Sequence, residues 1–164
     1  MICLYCLNVK SHGDVWFYFR LLGNNRFGNI PRAAFRGLTQ LKLLALWSNG
    51  IESMDAGVFE GLPNLTILDL SHNLISSLPA EAFQGLPNLQ ILYLNGNRLH
   101  NISRESFKGL TQLRKLELGS NGLGNIPRSA LSGLTQLKEL RLWGNGIESI
   151  DADVFEGLPN LTTL

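Results

Sequence analysis

Few side chains in this sequence combine the residue types and the spacing that catalysis or metal binding requires. Asp69, Ser71 and His72 supply the residue types of a nucleophilic triad. Side chains that are neighbours on one strand point in different directions, so a solvated polar strand is the better interpretation. The other histidines, His12 and His100, lie too far from His72 in sequence to predict a metal site from spacing. We therefore expect a protein that is not an enzyme and that binds no metal.

Two further patterns could carry chemistry, and each has a plainer explanation. Cys3 and Cys6 have the spacing of a redox pair or of half a zinc site. Because no second cysteine pair follows, we favour the remainder of a cysteine-bearing cap, or two thiols in an apolar corner. Gly119, Gly122 and Gly124 do not match a phosphate-binding glycine pattern. The sequence thus predicts no cofactor.

The chain is organised instead by a frame that recurs every 24 residues. Over residues 41–64 it reads Leu-x-x-Leu-x-Leu-x-x-Asn-x-Ile, followed by a longer tail that contains Phe-x-Gly-Leu. A fixed period of this length is typical of a solenoid, and this unit matches the leucine-rich repeat. We expect an N-terminal cap or lead-in over residues 1–16 and one repeat domain over 17–164. The repeats start at positions 17, 41, 65, 89, 113, 137 and 161, and the last one is incomplete.

The Leu-x-Leu alternation in each unit has a period of two, which predicts a short strand with one buried face. Stacking the units predicts an α/β leucine-rich repeat solenoid, with a parallel sheet on its concave face and short helical or 3₁₀ turns on its convex face. Arg20 falls on a buried position of the first unit. Because an unpaired buried charge is costly, that strand is either shifted by one residue or part of the cap. The leucines expected to point inward are Leu44, Leu46, Leu68, Leu70, Leu92, Leu94, Leu116, Leu118, Leu140 and Leu142.

Four other residue types also recur at fixed positions of the 24-residue unit and so form rows along the solenoid. An asparagine amide both donates and accepts, so a ladder of asparagines can satisfy backbone groups where each coil bends. A row of phenylalanines, with one leucine among them, should form a buried spine, and glycines two residues later suit turns with positive φ. Prolines at the start of the convex segments suit a short helical turn. The rows are Asn49, Asn73, Asn97, Asn121 and Asn145; Phe35, Phe59, Phe83, Phe107, Leu131 and Phe155; Gly37, Gly61, Gly85, Gly109, Gly133 and Gly157; Pro31, Pro79 and Pro127.

Composition argues against several classes of protein. The net charge is +1, from 14 basic and 13 acidic residues. This balance lacks the excess of positive charge that is typical of proteins that bind nucleic acid or anionic membranes. No apolar run reaches the roughly 18 residues of a membrane span, so we expect no direct membrane insertion. The first 20 residues lack the unbroken apolar core of a signal peptide. Because position 164 falls inside a repeat, we expect a fragment of a longer protein.

The strand positions that leucine leaves free should face the concave side in three columns. Leu43, Ile67 and Ile91 have no structural reason to be apolar if they face water. With Trp47 and Tyr93 they would form an exposed apolar patch, which usually marks an interaction site. The alternative is that β-branched residues simply suit strands. The columns are Phe19, Leu43, Ile67, Ile91, Lys115 and Glu139; Leu21, Ala45, Asp69, Tyr93, Glu117 and Arg141; Gly23, Trp47, Ser71, Asn95, Gly119 and Trp143.

An internal duplication supports the binding interpretation. Residues 41–64 and 137–160 are identical at 19 of 24 positions. Leu43 corresponds to Glu139 and Ala45 to Arg141, so two of the differences replace an apolar residue by a charged one on the expected concave face. A retained scaffold with a changed face is what a diversified binding surface would show.

The Gly-Leu-Thr-Gln-Leu junctions at 37–41, 109–113 and 133–137, with the Ile-Pro-x-x-x-Phe tail, resemble variable lymphocyte receptors and, more distantly, Toll-like receptor ectodomains. The resemblance implies an extracellular recognition protein that binds antigens or microbial components through its concave face. Acceptor triplets for N-glycosylation begin at Asn64, Asn101 and Asn160, which agrees with an extracellular origin.

We therefore expect a non-catalytic, immune-type recognition module. Its partner would be a protein or a microbial glycan or lipid-type ligand, and the oligomeric state stays open. The alternative is an adhesion or matrix repeat protein in constitutive association with another protein or with itself. The residues expected to contact the ligand are Leu43, Trp47, Ile67, Asp69, His72, Ile91, Tyr93, Glu117, Arg141 and Trp143.

Overall fold

The computed structural model describes residues 18–20, 28–30, 32, 34–103 and 105–164. Cys3, Cys6, His12 and the rest of the expected cap lie outside the described residues, as do Leu21 and the glycine at position 23. The elements are β1 Tyr18–Arg20, β2 Gly28–Ile30, β3 Leu43–Ala45, β4 Ile51–Met54, β5 Ile67–Asp69, β6 Ile91–Tyr93, β7 Lys115–Glu117, α1 Arg128–Leu131, β8 Glu139–Arg141 and a 3₁₀ helix Ala152–Phe155.

The described residues form the parallel solenoid that the 24-residue frame predicts. Strands β1, β3, β5, β6, β7 and β8 lie side by side in that order in one parallel sheet. Each coil advances the sheet by one strand, and the Lys42 carbonyl accepts from the amides of Thr66 and Ile67 at 2.8 and 3.1 Å. Equivalent bonds recur 24 residues later at Gln90 and Ile91. The expected fold class is therefore confirmed.

The first strand departs from the frame by one residue. Tyr18 pairs with Leu43, Phe19 with Leu44 and Arg20 with Ala45. Because strand side chains alternate between faces, a shift of one residue exchanges the buried and open positions. Phe19 thus takes the register position of a core leucine, which corrects its assignment to the first open column. Arg20 takes the register position of Ala45 in the second column. This agrees with the alternative in which the first strand is shifted by one residue.

The core is built from the leucines of the alternation. Nine of the ten leucines expected to point inward are buried at 0–1% exposure, and Leu142 is half-buried against the same core. The rings of Phe35, Phe59, Phe83 and Phe107 stack beneath the sheet with centroids 6.0, 6.1 and 6.0 Å apart. Leu131 continues this spine fully buried, and Phe155 packs partly buried against it.

The asparagine ladder supplies hydrogen bonds where each coil bends. The Asn73 side-chain oxygen accepts from the Asn49 and Ile51 amides at 2.9 and 3.1 Å, and its Nδ2 donates to the Leu46 and Leu70 carbonyls at 2.9 Å each. Asn49, Asn73, Asn97 and Asn145 are buried, and Asn121 is half-buried with the same pattern of bonds. Asn73, Asn97, Asn121 and Asn145 thus each donate to carbonyls of two successive coils, whereas Asn49 Nδ2 donates to the Trp47 carbonyl.

The convex side differs from the expectation in two ways. β2 and β4 form a second, two-stranded parallel sheet that the alternation did not predict. Among the described residues, the helical turns are α1 after Pro127 and the 3₁₀ helix, whereas the segment after Pro79 consists of turns. Five of the six spine-following glycines have positive φ, but Gly133, behind α1, does not. The prediction for Gly133 was therefore wrong, because the short helix changes how that segment returns to the sheet.

Candidate binding face

The open columns expected from sequence lie in register across the sheet. Strand pairing aligns Leu43, Ile67 and Ile91 with Lys115 and Glu139 in one row. In strands β3 and β5 to β8 the middle residue is buried and both flanking residues are half-buried. The aliphatic side chains of this row therefore stand on the face opposite the core, which we call the sheet face. The five strands β3 and β5 to β8, which carry the columns, lie about 4.8 Å apart in the sheet.

The half of the sheet face toward β3 is apolar. Leu43, Ile67 and Ile91 are each half-buried, and Trp47 and Tyr93 beside them are half-buried as well. Partial exposure of these five large side chains makes this half of the sheet face largely apolar, with Asp69 as a polar residue between Ala45 and Tyr93. The structure thus brings together the members of the expected apolar patch.

Asp69 and Ser71 are tied to each other rather than to a third residue. The Asp69 carboxylate accepts from the Ser71 amide at 2.9 Å and from the Ser71 hydroxyl at 2.6 Å. Ser71 is buried at 7% exposure, whereas His72 is exposed, with its Nε2 3.5 Å from Nδ2 of Asn95. A serine that donates to the aspartate is not aligned for activation by the histidine.

The half of the sheet face toward β8 carries a closed network of charges. The Lys115 ammonium lies 3.0 Å from the Glu117 carboxylate and 3.1 Å from that of Glu139, and Arg141 Nε donates to Glu139 at 2.9 Å. The same ammonium stands 5.7 Å from the centre of the Tyr93 ring. The expected contact residues Glu117 and Arg141 are therefore paired within the protein. The alternation of opposite charges between Lys115 and Glu139 and between Glu117 and Arg141, in neighbouring repeats, was an unused sequence signal for this network.

This network shifts the ionisation of two of its members. The hydrogen bond from Arg141, followed by that from Lys115, lowers the pKa of Glu139 below its usual value. The hydrogen bond to Glu117 is the largest cause that raises the pKa of Lys115. Both groups stay charged at neutral pH, and each compensates the other.

The two tryptophans have different surroundings. Trp143 is 59% exposed, and its indole lies directly over the backbone of buried Gly119. A Cβ atom added at Gly119 would stand 2.5 Å from Cε2 and 2.6 Å from Nε1 of that ring. Trp47 is half-buried within the apolar half. The two tryptophan rings are not neighbours on the sheet face, because Ser71, Asn95 and Gly119 occupy the third column in the three repeats between them.

One row of residues, which follows the third column by one position, has an unexpected backbone conformation. Ser48, His72 and Ser120 have φ of 54°, 54° and 51°, in the left-handed region. The equivalent residues of the other repeats are Gly96 and Gly144, with φ of 68° and 69°. A left-handed non-glycine residue costs on the order of 1 kcal/mol, so three polar side chains are held there at some expense in stability. The two glycines were the available sequence signal.

The described residues contain no group of three or more His, Cys, Asp or Glu that could hold a metal ion. Within the same residues, no helix has the length and apolar character needed to cross a membrane. What the sheet face offers is contact area: an apolar half, a paired charged half and an exposed tryptophan.

Comparison with known proteins agrees with this geometry. A family model described as leucine rich repeat matches residues 21–75, 39–99, 63–123 and 87–146. No curated protein matches the chain. A similar solved chain belongs to the structure of the Toll–Spätzle complex, described as a molecular hub in Drosophila development and innate immunity. The alignment has a TM-score of 0.79 and 30% sequence identity. It covers 85% of the present chain but only 19% of the longer Toll–Spätzle chain.

Proposed function

We propose, from the premise that this chain belongs to the leucine-rich repeat family, that it is a non-catalytic recognition module whose sheet face binds a protein partner. Leucine-rich repeats generally bind proteins, and the similar structure is itself a complex between proteins. The observation that carries the proposal is the continuous half-exposed row of Leu43, Ile67 and Ile91 with Trp47 and Tyr93 beside it.

The two halves of the face contribute differently. Burial of the apolar half removes hydrocarbon from water, which supplies most of the favourable free energy of association. Aromatic anchors such as Trp47 and Tyr93 are the residue types that dominate interfaces of this kind. The charged half is already neutralised internally, so it fixes orientation and rejects poorly matched partners.

The finer assignment that we propose is an extracellular, immune-type receptor segment. The resemblance to variable lymphocyte receptors supports it, and so does the likeness to a chain from a complex described as a hub in innate immunity. Its partner would be a secreted protein or a protein on a microbial surface. The alternative is a constitutive adhesion role, in which the chain associates with another protein or with itself. Sedimentation at increasing protein concentration detects the self-associating form.

The test is binding of the purified chain to immobilised secreted proteins, bacterial cells and isolated wall components. The double variant Trp47→Ala, Tyr93→Ala should lose at least about tenfold in affinity, because it removes two anchors worth roughly 1.4 kcal/mol or more together. Lys108→Ala, which changes an exposed side chain in the convex segment, is the matched control and should bind like the parent. Circular dichroism should be unchanged in both variants. Equal binding by all three proteins would place the site outside the sheet face.

A further inference from the structure

The three acceptor triplets for N-glycosylation have unlike structural surroundings. Asn64 and Asn160 occupy the same position of two repeats, and each side-chain Nδ2 donates to a carbonyl of the preceding coil at 2.8 Å, that of Thr39 or Thr135. Asn88, one repeat after Asn64, makes the same bond to the Pro63 carbonyl at 2.9 Å. Asn88 is followed by Leu-Gln and begins no triplet. Asparagine at this position is therefore explained by bridging between coils.

The hydroxyl groups of the same two triplets are also used by the fold. Thr66 Oγ1 donates to the Lys42 carbonyl at 2.9 Å, and Thr162 Oγ1 donates to the Lys138 carbonyl at 3.2 Å. Those carbonyls also accept the backbone amides that begin the next strand. Both polar groups of each triplet thus hold one coil to the coil before it.

Asn101 has none of these bonds. Its side chain is exposed, as are those of Asn64 and Asn160, but unlike them it makes no hydrogen bond within the part of the chain that the structure describes. Ile102 beside it is buried at 1% exposure, so the backbone is anchored while the amide points to solvent. Ser103 Oγ contacts Ser106 Oγ at 2.9 Å in its own segment, not a neighbouring coil.

The positions also differ in what a glycan would cover. Asn64 and Asn160 come three residues before Ile67 and Thr163, at the edge where a strand enters the sheet face. Asn101 lies in a convex segment, eight residues beyond Tyr93. A glycan on Asn101 would leave the sheet face open, whereas one on Asn64 would stand beside its apolar half.

We propose that Asn101 is the N-glycosylation site of this chain and that Asn64 and Asn160 stay unmodified. Nδ2 of Asn101 attacks the anomeric carbon of a lipid-pyrophosphate-linked oligosaccharide. The carbon–nitrogen bond forms as the carbon–oxygen bond to pyrophosphate breaks, and the amide loses one proton. Each repeat contacts only its neighbours, so Asn64 and Asn160 meet their partner carbonyls once their own coils have emerged, and folding removes them from competition. The inference rests on the extracellular location in the proposed function.

The test is secretion of the full chain from a eukaryotic cell behind a cleavable leader, followed by treatment with peptide N-glycosidase and mass mapping of the glycosylated asparagine. The parent protein should carry one glycan, at Asn101. Asn101→Gln and Ser103→Ala should each abolish the mobility shift, and Asn64→Gln and Asn160→Gln should leave it unchanged. The leader supplies the route to the transferase, so an unmodified Asn101 overturns the site assignment whatever the natural location of the chain.

A glycan on Asn64 or Asn160 would equally overturn it. Asn101→Gln should also bind the probes named for the sheet face with unchanged affinity, since residue 101 lies away from that face. A loss of binding in this variant, with circular dichroism unchanged, would contradict the placement of the glycan on the side opposite the sheet face.

Discussion

The exposed position of the Trp143 ring depends on the absence of a side chain at residue 119. Gly119→Ala places a methyl group where the indole lies, so the ring must swing toward solvent. Because Trp143 is already 59% exposed, the expected loss of stability is small, about 1 kcal/mol or less. Tryptophan fluorescence should shift to longer wavelength, which reports the change in ring environment directly.

The control for this change is the same substitution in a Trp143→Phe background. There, Gly119→Ala should leave the emission spectrum unchanged, because the remaining tryptophans lie far from residue 119 in sequence, outside its repeat and the one after it. A spectral shift of equal size in both backgrounds would show that residue 119 acts through the backbone rather than through Trp143.

Glu139 gives the charged network a dependence on acid. Its pKa is lowered from a usual value near 4.5, chiefly by the hydrogen bond from Arg141. A carboxyl group with a lowered folded-state pKa contributes stability above its unfolded value and loses it as pH falls through the folded value. Because the group is partly solvated, the contribution near pH 7 should be about 0.5 kcal/mol.

Urea unfolding of the parent and of Glu139→Gln measures this contribution. The two proteins should differ by that amount near pH 7 and converge as the pH falls below the usual carboxyl value near 4.5 and through the lowered folded-state pKa of Glu139. Glu148→Gln, at an exposed position outside the network, serves as the control and should match the parent throughout. A difference that persists at low pH would mean that shape, not charge, is what Glu139 supplies.

Individual side chains were predictable where their bonding capacity matches the period. Asn73 is a case in point: an amide that donates and accepts, repeated every 24 residues, had to serve the backbone, and it does. Serine itself carries no signal for positive φ, so the left-handed backbone at Ser48 and Ser120 could be predicted only from the glycines at the equivalent positions of other repeats. The pairing of Lys115 with Glu139 depends on the lateral register of β7 and β8, which places the two residues side by side in the first column.

At the scale of elements, the phenylalanine spine is a row of separate packing sites. Phe83 is buried at 1% exposure between the rings of Phe59 and Phe107. Phe83→Ala should cost about 3–5 kcal/mol, since it removes the ring and leaves a cavity. Phe83→Leu should cost only about 1 kcal/mol, because Leu131 fills the equivalent position fully buried. Denaturant midpoints at constant slope measure both. Equal losses would mean that ring stacking, not volume, holds the spine.

The strands could be placed from sequence because alternating leucines define them. β3 and β5 to β8 each contain a buried leucine between two half-buried residues. β2 and β4 lack that alternation. They pair with each other in parallel, and the register of the pairing shifts between Gly28 and Asn29. β1 is one residue out of frame, since Phe19 rather than Arg20 takes the register position of a core leucine.

At the scale of the molecule, the same regularity separates what the sequence specifies from what it leaves free. The frame dictates the core positions, so the fold follows from the period alone. The sheet face is made of the positions that the frame does not constrain. The sequence predicts which side chains lie there, but not which contacts those side chains make. Trp47 and Trp143 occupy the same position of duplicated repeats, yet one is half-buried and the other exposed.

Repeats that contact only their neighbours should unfold in a graded way rather than all at once. Strands β5, β6 and β7 each pair on both sides, whereas β8 has β7 on one side and a single bridge from Glu139 to Thr163 on the other. Hydrogen exchange followed by mass spectrometry should therefore find the slowest amides in β6 and faster exchange in β8. Leu92→Ala, expected to cost about 2–5 kcal/mol, should speed exchange in the repeats on both sides of it. Leu140→Ala should speed exchange mainly in the last two repeats. Uniform exchange from β5 to β8 in the parent would show instead that the stacked coils unfold as one cooperative unit.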